Sequence, residues 1–336
     1  MKNPYIGLDH GSGGEASRQL VEEIFLSRLG NDYLDRMDDS AVVVRDGQRL
    51  AMTTDSYVVT PIFFPGGNIG SLAVHGTVND LSMQGARPRF LTLGLILEEG
   101  FSITDLERIV DGVAAASREA GIQIVAGDTK VVARGHADRV FINTAGIGWI
   151  PDGVDVSSRN ARPGDVVLIN GHIGDHGIAI LTQREGLRLK TPLTSDSAPL
   201  NGLVSAILAA VPNIHVLRDP TRGGVATALN EIAGQSGVGI RLLEREIPVS
   251  PAVRSASEIL GLDPLYVANE GKCLVIAPAE QADAVLSAMT RDPRGKKARM
   301  IGEVTAERPG TVVLETAVGG TRILSTLTGE PLPRIC

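Results

Sequence analysis

Apolar residues follow two spacings along the chain, and the changes of period mark its elements. Leu20, Val21, Ile24, Phe25 and Leu29 recur at helical intervals and Gly30 closes the run, so a leading helix is predicted over 15–29. Short β-branched runs at 41–44 and 50–54 read as strands, 69–84 as a helix with small residues on one face, and 89–98 as a long strand. Ser102 with Asp105 forms a capping box for a helix reaching 120, and strands at 123–126 and 139–150 complete the first half. Positions 152–163 are polar, contain glycine and proline and lack a period, which is where a domain boundary is expected. Beyond it, strands are predicted at 166–170, 239–243, 272–277, 299–305, 311–316 and 320–324. Helices are predicted at 177–185, 199–210, 223–235, 251–260 and 280–289. Neither half repeats βαβ units, so the expected class is α+β, with mixed sheets packed with helices in each of two domains.

Composition narrows the function classes. A length of 336 residues also argues for two domains. The net charge of −7 supplies no basic footprint, and 3% aromatic residues supply no stacking platform, so nucleic acid is not an expected partner. The longest apolar stretches, such as 91–97, are strand-sized against the ~20 residues a membrane span requires, so no membrane partner is expected. Two cysteines cannot build a disulfide framework, and 1–14 has no apolar h-region, which points to a cytoplasmic protein.

Acidic residues recur beside small polar ones at predicted element ends: Asp38-Asp39-Ser40, Thr53-Thr54-Asp55-Ser56, Asn79-Asp80 and Gly127-Asp128-Thr129-Lys130. Each alone reads equally as a turn or N-cap. Four such corners brought together would form a hard, oxygen-rich site, and Mg²⁺ with ATP is its natural occupant. No G-x-x-x-x-G-K-[ST] motif occurs. Gly11-Ser12-Gly13-Gly14-Glu15-Ala16 fits G-x-G-x-x-A, yet Tyr5 to His10 makes a poor buried strand; the glycines serve equally as a lid over phosphates or as a capping loop.

Arg218-Asp219-Pro220-Thr221-Arg222-Gly223-Gly224 precedes a helix, where N–H donors and Arg222 would suit an anion, or where Asp219 and Thr221 simply cap. Asn269-Glu270-Gly271-Lys272 precedes a strand, so Glu270 is a candidate base or metal ligand, or half of a surface ion pair. His172 and His176 lack the H-E-x-x-H context of zinc, and no G-x-S-x-G elbow is present.

The chain ends Gly329-Glu330-Pro331-Leu332-Pro333-Arg334-Ile335-Cys336. Cysteine in last place is not a C-a-a-X signal. The prolines favour an extended arm with a reach of about 23 Å. The adjacent α-carboxylate should push the thiol above its usual pKa of about 8.5, so a local base or cation would have to generate thiolate. Cys273, inside an apolar strand, reads as inert core.

Together, the aspartate corners, the Asp219 and Asn269 motifs and the terminal Pro333-Arg334-Ile335-Cys336 resemble the HypE family of hydrogenase maturation proteins, the carbamoyl dehydratases. The likeness covers essentially the whole chain. The internal motifs are shared with the aminoimidazole-ribonucleotide-synthetase-like ATP-binding superfamily, and the terminus is particular to HypE. The resemblance implies a glycine-rich segment and leading helix (1–36), an ATP-binding and dimerisation domain (37–155), a C-terminal α+β domain (156–328) and a flexible tail (329–336). It implies ATP contacts from Gly11, Gly13, Asp39, Thr54, Asp55, Asn79, Asp80, Gly127, Asp128 and Thr129, and Mg²⁺ held by some of Asp38, Asp39, Asp55, Asp80 and Asp128. Catalysis falls to Cys336 as carrier, Glu270 as base and Lys130 steadying phosphate or the amide oxygen, or with the last two roles exchanged.

The implied reaction is ATP-dependent dehydration of an S-carboxamide on Cys336 to an S-cyanide for the iron of [NiFe]-hydrogenase. The implied partners are the carbamoyltransferase HypF, the HypC–HypD complex and a second copy of the chain. Two rival readings are an enzyme of the same superfamily acting on a diffusible amide or amine, and an ATP-controlled assembly module whose tail only docks a partner. The first tolerates loss of Cys336; the second tolerates Cys336→Ser.

Overall fold

Two mixed sheets organise the chain, one built between 41 and 150 and the other between 165 and 324. The computed structural model describes residues 5–187, 193–329 and 334–336. The first sheet has the order β1-β2-β7-β5-β6, from β1 (Ala41–Arg45), β2 (Gln48–Tyr57), β5 (Arg87–Glu98), β6 (Gln123–Val132) and β7 (Val140–Ile150). Only β5 and β6 pair in parallel. A hairpin of β3 (Phe63–Phe64) and β4 (Gly67–Asn68) leads into α3 (Ile69–Met83), and α4 (Ile103–Ala120) joins β5 to β6.

The second sheet has the order β14-β13-β10-β12-β8-β11-β9. Its strands are β8 (Asp165–Ile169), β9 (Val216–Arg218), β10 (Gly239–Leu243), β11 (Leu274–Pro278), β12 (Arg299–Thr305), β13 (Val312–Glu315) and β14 (Thr321–Leu324). Helices α5 (Asp175–Arg184), α6 (Asn201–Ala210), α7 (Gly224–Ser236), α8 (Pro251–Leu260) and α9 (Ala282–Arg291) connect them. The predicted α+β class with mixed sheets is what the chain adopts.

The leading helix and one strand differ from expectation, and β9 and the β3–β4 hairpin were not predicted. The leading helix is α1 (Glu15–Leu20), a π-helical stretch Val21–Leu26 and α2 (Ser27–Leu29), and none of its residues is fully buried. The strand predicted at 123–126 continues to Val132, because its parallel ladder with β5 runs on past Ala126. The short strand β9 and the β3–β4 hairpin carry too few residues to show a period.

One apolar core runs through both halves, with Val74, Val78 and Leu81 of α3 packed in the same cluster as Leu168, Leu203 and Val275 of the second sheet and its helices. All of α3 is fully buried except Ser71 and Asp80. Small residues make that possible. A Cβ on Gly76 would lie 2.1 Å from the Tyr57 hydroxyl, and one on Gly70 would lie 2.4 Å from the Ile109 carbonyl oxygen. The helix is thereby fixed against β2, with Asp80 presented toward the second half.

The opposite face of the first sheet is uncovered. Met52, Phe90, Ile147 and Trp149 are each between 37% and 52% exposed, and the Phe90 and Trp149 rings meet edge to face at 5.9 Å. Among the described residues no helix is long and apolar enough to cross a membrane.

The tight contact at Gly76 gives a direct expectation. Gly76→Ala should lower the unfolding free energy by about 1–3 kcal/mol, the usual cost of overpacking, measured by urea denaturation.

Candidate active site

Six carboxyl groups meet at one cavity, Glu231 from α7 and five from other places in the chain. Asp39 comes from the loop before β1, Asp55 from the end of β2, Asp80 from α3, Asp219 from the loop after β9, and Glu270 from the loop before β11. The cavity measures about 250 Å³ and is also lined by Tyr57, Arg218, Arg222, Glu231 and Cys336. Carboxylate oxygens of Asp39, Asp80 and Asp219 lie within 4.8 Å of one another. Thr53 Oγ1 donates to Asp80 Oδ2 at 2.9 Å, and the Tyr57 hydroxyl donates to Asp55 Oδ2 at 3.2 Å.

Positive charge in this cavity falls short of the negative. Arg218 is already divided between Asp39 Oδ1 at 2.8 Å and Glu231 Oε2 at 2.6 Å. Burial holds the Asp80 carboxyl well above the usual carboxylate range, and the charges of Asp55, Asp219 and Asp39 push it further. Burial likewise raises Asp39 well above that range, with Arg218 opposing. Asp219 is pushed up to about 6 by burial, again against Arg218. Burial raises Glu270 well above its ordinary value, Asp219 and Asp196 add to the rise, and Arg222 opposes it. A hard divalent cation fits this donor set, since it prefers carboxylate oxygens and would offset their repulsion.

The end of the chain occupies the same place. Val58 N–H donates to the Cys336 carbonyl oxygen at 3.1 Å and Thr60 N–H to that of Arg334 at 3.2 Å, so the terminus lies along 58–60 like an added strand. Arg334 Nε donates back to the Val58 carbonyl at 2.9 Å, and its guanidinium pairs with Asp138. Arg184 donates to the Arg334 carbonyl at 2.8 Å. Ile335 is buried in the cluster formed by Tyr57, Val59, Ile178 and Val267. Each residue of Arg334-Ile335-Cys336 therefore has its own task. Of the tail expected at 329–336, residues 330–333 lie outside the described residues.

Burial pushes the Cys336 thiol up to about 12; Arg222 opposes this, while Glu270, Asp55 and Asp219 reinforce it. An unmodified thiol docked here is neutral. Its other side borders an apolar recess of about 150 Å³, lined by Leu8, Gly11, Val58, Tyr266 and Ala268 among others. The glycine-rich segment roofs this region: Arg222 Nη1 donates to the Gly11 carbonyl at 2.8 Å. At Gly13, φ is +78° and a Cβ would sit 3.0 Å from that of Arg222, which requires glycine.

Of the residues singled out in the sequence, Asp39, Asp55, Asp80, Glu270, Cys336 and Gly13 line the main cavity and Gly11 the adjoining recess. Asn79 lies beneath them, donating to the Glu270 and Ala198 carbonyls at 3.1 Å each and accepting from Leu200 N–H at 2.7 Å. Asp38 turns toward the domain boundary, where it accepts from Ser157 Oγ and Ser158 N–H. Thr54 points to the other side of β2 and donates to the Thr144 carbonyl at 3.0 Å.

Gly127, Asp128, Thr129 and Lys130 stand in mid-strand in β6, not at an element end. Asp128 and Lys130 are each 69% exposed and pair with one another at 2.6 Å, on the open sheet face beside Ile96 and Asn143. The sequence motif shows Asp219 only as a cap, gives His176 no role beyond a loop or polar contact, and leaves Tyr57, Glu231 and Asp196 unmarked. Asp219 follows an arginine and precedes Pro-Thr-Arg-Gly-Gly, and that clustering of charge at a glycine-rich helix start was the available signal.

Comparisons with known proteins follow this geometry. Residues 37–150 match the family model for the AIR synthase related protein N-terminal domain, and 162–315 match that for its C-terminal domain. Carbamoyl dehydratase HypE of Azotobacter vinelandii is 55% identical over 336 residues, covering 100% of this chain and 98% of that protein. The chain belongs to the HypE family. A crystal structure of hydrogenase maturation protein HypE in complex with ATP superposes with a TM-score of 0.84 at 54% identity, covering 99% of this chain and 100% of that one. A structure of a HypE–HypF complex gives 0.88 at 50% identity, covering 92% and 99%.

The buried thiol sets a pH dependence for docking. Its pKa is about 12 when docked and near the ordinary 9.0 when free, so the free form loses its proton first as pH rises. Docking is therefore unaffected below 9.0 and weakens, by up to tenfold per pH unit, between 9.0 and about 12. Hydrogen exchange at Val58 and Thr60 N–H, compared with Cys336→Ser in which no thiol titrates, measures this loss.

Proposed function

We propose that this chain uses ATP to dehydrate an S-carboxamide carried on Cys336 to an S-cyanide, which becomes the cyanide ligand on the iron of a [NiFe]-hydrogenase. The observation that carries the reading is that the Cys336 side chain lines the same cavity as Glu270 and the Asp39, Asp80 and Asp219 carboxylates. Relatives named carbamoyl dehydratase and a HypE–ATP complex at high identity support it.

An amide oxygen is a poor leaving group until it is phosphorylated. The carboxamide oxygen on Cys336 attacks the γ-phosphate of ATP, forming an O–P bond as the bond to ADP breaks, and one N–H proton departs to leave an iminophosphate. Loss of the second N–H proton then drives cleavage of the C–O bond, and phosphate leaves as the nitrile forms. Glu270 takes that second proton, because a buried carboxyl of raised pKa is a strong base once ionised. Arg222 faces Glu270 and Cys336 across the cavity and offsets the charge on the leaving phosphate. Mg²⁺, held by Asp39, Asp80 and Asp219 with Asp55 nearby, would neutralise phosphate charge. The glycine roof and the packed terminus keep water from diverting the phosphoryl group.

In one chain Asp128, Lys130, Thr54, Gly127 and Thr129 lie away from this cavity. The reading brings them to ATP through a homodimer closed across the open face of Met52, Phe90, Ile147 and Trp149. Lys130 then steadies phosphate or the amide oxygen in the neighbouring cavity. HypF, seen with a related HypE, is the carbamoyl donor, and the HypC–HypD complex in the cytoplasm receives the cyanide.

The test uses purified protein, HypF-type carbamoylation, Mg-ATP, and mass spectrometry of the C-terminal peptide. Carbamoylated Cys336 should lose one water only as ATP is hydrolysed, Cys336→Ser should yield no nitrile, and Glu270→Gln should slow the loss about 10²–10⁴-fold. ATP consumption on a soluble amide with the peptide unmodified would sink the reading.

A further inference from the structure

The terminus and Glu270 hang from one short turn. His176, in the first turn of α5, is fully buried, with its ring edge-on to Phe64 at 5.7 Å. Its Nε2 lies 2.8 Å from the Ile335 carbonyl oxygen and its Nδ1 2.8 Å from Ser195 Oγ. A carbonyl oxygen only accepts, so Nε2 carries the proton. In a neutral ring Nδ1 then accepts, and Ser195 must donate its hydroxyl proton to it. Ser195 Oγ in turn accepts from Ser197 N–H at 3.0 Å. The chain from Ser197 to Ser195 to His176 to Ile335 runs in one direction and fixes the tautomer. Burial lowers the imidazole pKa, which keeps the ring neutral.

Between those two serines, Asp196 Oδ1 accepts from the Glu270 N–H at 3.1 Å and Oδ2 pairs with Lys272 at 2.9 Å, both side chains being buried. A Cβ on Gly271 would lie 1.9 Å from the Asp196 carbonyl oxygen, so the turn and the Glu270 loop are in direct contact. Ser195 N–H donates to the Pro65 carbonyl at 2.8 Å, which anchors the turn to the first half.

We infer that His176 is a positioning residue for the carrier terminus, and that the Ser195-Asp196-Ser197 turn sets the docked Cys336 and the Glu270 backbone in a common frame. The imidazole acts through the Ile335 carbonyl and takes no part in bond making. The placement of Cys336 rests on the structure alone; its catalytic consequence rests on the dehydratase reading above.

The experiment compares wild type, His176→Leu, His176→Gln and Ser195→Ala in the full chain. It reads alkylation of Cys336 by N-ethylmaleimide, single-turnover water loss from carbamoylated Cys336, and the thermal midpoint. Leu removes the donor, Ala removes the proton that sets the tautomer, and Gln keeps a donor near Nε2. The expected result is about tenfold faster alkylation and about tenfold slower water loss in the Leu and Ala variants, as for one lost hydrogen bond, with Gln within about threefold of wild type.

Unchanged alkylation in both the Leu and Ala variants overturns the proposal, and so does a Gln variant that behaves like Leu. If His176→Leu does not fold, Ser195→Ala against wild type decides. Faster alkylation in a protein whose wild type performs no dehydration supports the positioning role and refutes the dehydratase reading.

Discussion

Uncompensated negative charge, gathered in one cavity, is the constraint around which this molecule is arranged. Asp39, Asp55, Asp80, Asp219 and Glu270 share a space in which Arg218 is already spoken for and Arg222 lies beside Cys336. Burying charge of one sign costs free energy unless a counter-charge or a proton arrives. The raised carboxyl pKa values express that cost, and a bound divalent cation would offset it.

Supporting this arrangement requires rigidity on both sides. Helix α3, buried almost all round, fixes Asp80, while Asn79 on the same turn grips the Glu270 carbonyl. Glu270 and the acidic cluster are thus referred to one element of the first half, although Glu270 belongs to the second. The shared apolar core around α3, α6 and β8 keeps the two halves in register. Sub-ångström placement of reacting groups depends on such packing, because a cavity formed between two loosely joined lobes would not hold geometry.

Much of the fold was readable from local pattern: α4 carries a helical repeat behind its Ser102 cap, β7 alternates, and β8 and β11 are short continuous apolar runs. The short β9 escaped because three residues carry no period, and β6 was cut short because Gly127, Asp128 and Thr129 look like a turn when stripped of the ladder that extends them. In the cavity, Asp39, Asp55 and Asp80 stood out beside small polar neighbours, and Cys336 by its terminal position. Asp219 was hidden by its second identity as a helix-start residue. His176 and Asp196 were hidden for a different reason: their meaning lies in contacts across 159 and 74 positions, which no local pattern encodes.

On the carrier role proposed for Cys336, the docked terminus makes the reacting group part of the polypeptide. Tethering replaces a bimolecular encounter with an effective concentration fixed by the length of the arm, in the millimolar range for short linkers. Dilution of the protein does not slow the chemical step, and no soluble analogue at ordinary concentration competes with the resident group. Each chain therefore processes one cargo at a time. With Cys336 as the proposed carrier, throughput is counted in loadings and unloadings of a single sulfur atom.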